Sequence, residues 1–155
     1  MAYLQNNDPT QHNGCVFCAK VDGTDDAAEH VLYRGEHCFV TLNLFPYNNG
    51  HLMVVPYKHV GDLALLEAAT LDELMAITQG ALRVLRAAYH PEGFNIGMNL
   101  GRAAGAGIAE HLHQHVVPRW SGDTNYMTVV GQTRVIPEWI DEMYAHLKPL
   151  WAEYF

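Results

Sequence analysis

The stretch "HLHQHVVPRW", residues 111–120, decides the reading of this chain. Side chains on a β-strand alternate between two faces, and residues two apart lie roughly 6.5 Å from one another on the same face. His111, His113 and His115 therefore share one face, and Leu112, Gln114 and Val116 take the other. Pro118 has no N–H for a sheet ladder, so the predicted strand ends near it. Imidazole is a common metal ligand and also titrates near neutrality. Three on one face suit either metal binding or nucleophilic and acid–base chemistry.

Working outward, "FNIGMNL" (94–100) reads as the preceding strand, and the glycine-rich "GRAAGAGIAE" (101–110) links it to the histidine segment. Further upstream, "EHVLYRGEHCFVTLN" reads as two β runs, near 30–34 and 37–43, turning at Gly35. "HLMVVP" (51–56) is the next strand, broken from the preceding loop at Gly50, and these three should pair as an antiparallel meander. Thr70 followed by Glu73 matches a capping box for a helix with apolar positions Leu74, Met75, Leu82 and Leu85, running to about Tyr89. A C-terminal helix is expected from Pro137 at its first position, with Trp139, Ile140, Met143, Tyr144 and Leu147 on the apolar face. About five antiparallel strands with a long helix and a C-terminal helix make an α+β fold.

The 155 residues suit one domain, 1–155, with 1–13 as a flexible N-terminal segment. A net charge of −8 argues against a nucleic-acid or anionic-membrane surface, which would need clustered Lys and Arg. No apolar run approaches a membrane span, and "MAYLQNNDPTQHNG" lacks a basic region followed by an apolar core, so a cytoplasmic protein is expected. Of three cysteines, Cys15 and Cys18 sit in "GCVFCAK" with the spacing of a metal clip or a redox pair, and Cys38 reads as a small buried residue.

"HLHQHVVP", "LNLFPYNNGHLMVVPYKH" and "NIGMNLGRAAGAG" together resemble the histidine triad (HIT) family of nucleotide hydrolases and transferases over about residues 14–150. Within it the chain is most similar to the branch of small bacterial diadenosine tetraphosphate phosphorylases, or ATP adenylyltransferases. Two departures stand out: Gln114 replaces an apolar position of the motif, and Gly107 stands where relatives carry Gln or Ser. The resemblance implies a HIT-like fold and catalytic residues His111, His113, His115 and Asn99. His113 would be the nucleophile on the α-phosphorus and His115 the donor to the phosphate or leaving group. Nucleotide binding would fall to Asn43, His51, Asn99, Gly105, Gly107, His113 and His115, with glycines bringing backbone N–H groups close to an anion. It also implies a structural zinc on Cys15, Cys18, His59 and His111, a nucleotide or dinucleoside polyphosphate substrate, and a homodimer. Arg102 and Arg119 are candidate charges for an attacking phosphate. Other readings are a nucleoside phosphoramidate hydrolase, a metalloenzyme with its zinc on the triad, and a non-catalytic nucleotide-binding module.

Overall fold

The apolar runs pair into five strands, β1 (Val31–Arg34), β2 (Cys38–Leu42), β3 (Leu52–Pro56), β4 (Gly93–Met98) and β5 (Gln114–Arg119). They form one sheet in the order β1-β2-β3-β5-β4, every neighbouring pair antiparallel. This arrangement comes from a computed structural model, which describes residues 14–124 and 138–155. The expected meander is present, with Cys38 opposite Pro56 and Leu42 opposite Leu52 across β2 and β3. Residues 1–13, expected to be flexible, lie outside the described residues.

The described helices are α1 (Val16–Asp22), α2 (Ala68–Tyr89) and α3 (Ile140–Tyr154). Every residue of β2 and β3 is buried because both sheet faces are covered. With period two, Cys38, Val40, Leu42, Leu52 and Val54 pack with Leu74, Ile77, Val84, Leu85 of α2 and Met143, Leu147, Trp151 of α3. Phe39, Met53 and Val55 point the other way and pack with Phe17 of α1. No described helix is long and apolar enough to cross a membrane.

Three expectations are corrected. The long helix does not start with a capping box at Thr70. It starts at Ala68, Thr70 is buried inside it, and the Glu73 carboxylate instead accepts the backbone N–H groups of Glu36 and His37 in the β1–β2 turn. A charged acceptor shared by two backbone N–H groups fixes the turn, so Glu73 is spent on tertiary structure rather than on the end of its own helix. Trp139 is not on the packed face of α3: it is 80% exposed, and the helix buries Met143, Leu147 and Trp151 instead. Pro137 lies outside the described residues. Finally, the ladder of β5 begins at Gln114, so His111 and His113 precede it, and it continues through Pro118 to Arg119. Pro118 is tolerated because β3 pairs only as far as Val116; the missing donor falls where no ladder bond is required.

Candidate active site

Gly61 brings the two halves of the site together. A Cβ there would lie 2.3 Å from the Ala109 carbonyl oxygen, so only glycine lets the segment after β3 run against residues 108–112. Leu112 N–H donates to the Val60 carbonyl at 2.7 Å, which fixes that contact and sets His59 beside His111.

Cys15, Cys18, His59 and His111 offer ligand atoms that all lie within 4.8 Å of one another. Nδ1 of His111 is 3.4 Å from Cys15 Sγ and 3.5 Å from Cys18 Sγ, and Nδ1 of His59 is 3.1 Å from Cys18 Sγ. A tetrahedral metal with normal zinc–sulfur and zinc–nitrogen bonds requires such edges to be about 3.6 Å. The residues present therefore fit a closed two-thiolate, two-imidazole site. His111 Nε2 donates to the Pro56 carbonyl at 2.8 Å, the kind of outer hydrogen bond that orients a metal-binding imidazole. Burial, then the neighbouring Cys15 thiol, pushes the Cys18 thiol up to about 12, so a metal binding there must displace a proton. Arg34 holds α1 against the sheet by donating to the carbonyls of Lys20 and Gly23 and to Asp26.

The same His111 serves the second centre through its backbone. His113 Nδ1 is 2.9 Å from the His111 carbonyl, which can only accept, so Nδ1 carries the proton and Nε2 is the basic nitrogen of the neutral ring. Phe17 wedges between the two rings, with centroids 5.3 Å from His111 and 5.0 Å from His113.

His115 follows, its ring 5.0 Å from that of His113. Its Nδ1 lies 2.9 Å from His51 Nε2, and the backbone N–H of Tyr47 donates to His51 Nδ1 at 3.1 Å. A backbone amide only donates, so the neutral His51 proton sits on Nε2 and points to His115 Nδ1. The proton of His115 is thereby placed on Nε2, as a donor. Burial, and then repulsion from the neighbouring His113 imidazole when that is protonated, hold the His115 pKa below the usual imidazole value and favour its neutral form. His51 is fully buried and stacks on Tyr47.

Asn43 directly follows β2, its amide nitrogen 3.5 Å from the acceptor His51 Nδ1 and its oxygen accepting from the Phe45 N–H. Asn99 follows β4, half-buried, and its side chain makes no hydrogen bond among the described residues. In the glycine loop, Gly101 and Gly105 take positive φ on either side of the 3₁₀ turn Arg102–Ala104. The amides of Ala104, Gly105 and Ala106 are spent inside that turn. Those of Gly107 and Ile108, and at the loop's other end those of Gly101, Arg102 and Ala103, donate to nothing among the described residues. Arg119 is engaged elsewhere, donating twice to Asp123 at 2.6 Å and once to Asn95. Arg102 is 86% exposed and 3.8 Å from Glu110.

The triad thus divides. His111 turns its ring to the thiols, and His113 and His115 form a pair with defined protons, so the three rings do not converge on one metal. Phe17, Tyr47 and Thr78 were missed from the sequence. Phe17, between the two cysteines of the CxxC pair, was the one that the motif could have flagged.

Fold and site together define a histidine triad protein: a HIT-domain model matches residues 24–122, and the chain belongs to that family. It is 50% identical over 122 residues to a Mycobacterium tuberculosis AP-4-A phosphorylase, a match covering 79% of this chain and 63% of the relative, less than two thirds of its length. An uncharacterized HIT-like protein of Methanocaldococcus jannaschii is 34% identical over 111 residues, 70% of this chain and 81% of its own. The crystal structure of a zinc-bound histidine triad family protein from Mycobacterium smegmatis superposes with a TM-score of 0.73 at 31% identity, covering 91% of this chain and 95% of that one.

Proposed function

We propose that this protein is a dinucleoside polyphosphate phosphorylase that passes AMP through a covalent adduct on His113. Nε2 of His113 attacks the α-phosphorus; an N–P bond forms and the P–O bond to the leaving polyphosphate breaks. His115 Nε2–H donates to the oxygen that gains charge. An oxygen of inorganic phosphate then attacks the adduct, the N–P bond breaks, and ADP leaves. With diadenosine tetraphosphate the balance is substrate plus phosphate giving ATP plus ADP.

The observation that carries this reading is the proton assignment: the His111 carbonyl frees Nε2 of His113, while the Tyr47 amide, through His51, makes Nε2 of His115 a donor. The M. tuberculosis relative supports phosphate as acceptor, being named a phosphorylase. With Arg119 paired to Asp123, the anion falls to the Gly107 and Ile108 amides, Asn99 and the exposed Arg102. Asn43 serves the ribose, and Gly105 supplies the turn that presents Gly107. Zinc on Cys15, Cys18, His59 and His111 stabilises this scaffold, and its reduced thiols suit the cytoplasm.

Millimolar phosphate is expected to accelerate the loss of diadenosine tetraphosphate and to yield ADP and ATP. Chromatography showing AMP and ATP whatever the phosphate level would make the enzyme a hydrolase instead. Preferred turnover of an AMP-amine would point to phosphoramidate hydrolysis. A homodimer is also part of the proposal: among the described residues β4 is an edge of the sheet, with Ile96 45% exposed on it and Leu100 44% exposed just beyond. Light scattering should give twice the 17.3 kDa chain mass, and a monomer at micromolar concentration would refute it.

A further inference from the structure

Gln114, the residue that breaks the apolar pattern of the motif, is 4% exposed and sits between the two histidines assigned to chemistry. On the covered face of the sheet its Nε2 donates to Thr78 Oγ1 of α2 at 2.6 Å, and Thr78 Oγ1 donates in turn to the Leu74 carbonyl at 2.7 Å. Both bonds run one way, from Gln114 to Thr78 and from Thr78 to the helix backbone. Two apolar side chains of the same shape would stabilise the core about as well, because a buried hydrogen bond contributes only about 1 kcal/mol net. What an apolar pair lacks is direction.

Gln114 also marks the start of the β5 ladder. It pairs with Val54 on one side and Met98 on the other, while His113 lies just outside the ladder. The placement of His113 thus depends on how the chain enters the strand at Gln114. The far end of the bond is rooted in α2, whose Leu74, Ile77 and Ala81 are in the main core.

We propose that the Gln114–Thr78 hydrogen bond is a positioning device that sets His113 and His115 from the back of the sheet. The assignment rests on the nucleotidyl-transfer reading above. Neither residue touches substrate; both act through the backbone that carries the two rings. A misplacement on the order of 1 Å at a reacting group can cost about 100-fold in rate.

The test compares Gln114→Leu, Thr78→Val, Thr78→Ser and the Gln114→Leu/Thr78→Val double variant in the full chain. Gln114→Leu is expected to keep the wild-type melting temperature, Thr78→Val, which leaves the buried Gln114 amide without its acceptor, to lose a few degrees, and both to keep their metal content. Their kcat should fall roughly 10- to 100-fold, with KM for diadenosine tetraphosphate little changed. Thr78→Ser, which keeps the hydroxyl, should restore kcat, and the double variant should be no worse than either single one. Imidazole NMR signals of His113 and His115 should move in both single variants, a readout that stands even if the substrate assignment fails. If Gln114→Leu does not fold, the nearly isosteric Thr78→Val carries the test. Wild-type kcat and unshifted imidazole signals in folded Thr78→Val would overturn the proposal. No nucleotide turnover by the wild-type protein, with the imidazole shifts present, would instead sink the functional reading.

Discussion

His113→Ala is expected to abolish turnover of diadenosine tetraphosphate, by at least on the order of 10³-fold in kcat, while AMP still binds with near wild-type affinity. The covalent route needs an unprotonated nitrogen in line with phosphorus, and no neighbour can supply it. His111 has its Nδ1 toward the thiols and its Nε2 on the Pro56 carbonyl, and the proton of His115 is directed to the ligand side by His51. Binding should survive because the ring of His113 is held by Phe17 and the His111 carbonyl without itself supporting either neighbour's backbone. Labelled dinucleotide should leave radioactivity on wild-type protein denatured in alkali, where a histidine N–P bond survives, and none on the variant. Retention of more than a few per cent of the wild-type rate would remove His113 from the nucleophile's role.

The parts of this site that were legible in the sequence are those set by local period. Alternation placed the three histidines on one face and Gln114 and Val116 on the other, and that holds even though the ladder starts only at Gln114. The CxxC spacing marked Cys15 and Cys18, and the family resemblance supplied His59 and His111 as their partners. What was not legible depends on partners far apart in the chain. The Thr70 and Glu73 pattern looks the same whether Glu73 caps its own helix or reaches the amides of Glu36 and His37, and only the packed structure separates the two. Arg119 reads in sequence as a charge for phosphate, but Asp123, four residues on, accepts from Nε and Nη2 along one edge of its guanidinium and Asn95 from Nη1. Helix α1 is seven residues long, too short to announce itself by periodicity, and it is held by Arg34 rather than by its own propensity. The proton order through His51 could not be read at all, because it is decided by one backbone amide, that of Tyr47.

Loss of the metal is expected to have the largest effect on stability. Freshly purified protein should contain about one zinc per chain, and chelation or Cys15→Ser should lower the melting temperature by roughly 10 °C or more, which for a domain of this size corresponds to about 3–5 kcal/mol. The four ligands join three otherwise separate pieces of chain: α1, the segment after β3, and the segment before β5. Without the metal those pieces are joined by the Leu112–Val60 hydrogen bond and by the smaller of the two apolar clusters, built on Phe17, Val31, Phe39, Met53 and Val55. The larger cluster under α2 and α3 does not include the ligands, so the chain should stay folded and the loss should be partial. Because a buried thiol must give up its proton to the metal, zinc should be retained less well as pH falls. Catalysis should weaken as well, through the His111 carbonyl and Phe17, but by less than in His113→Ala, since the reacting nitrogen remains. Cys38→Ser is the control: Cys38 lies in the larger cluster, so zinc content should not change. Metal-free protein from an unchelated preparation, or a melting temperature indifferent to chelation, would show that the four side chains pack together without a metal.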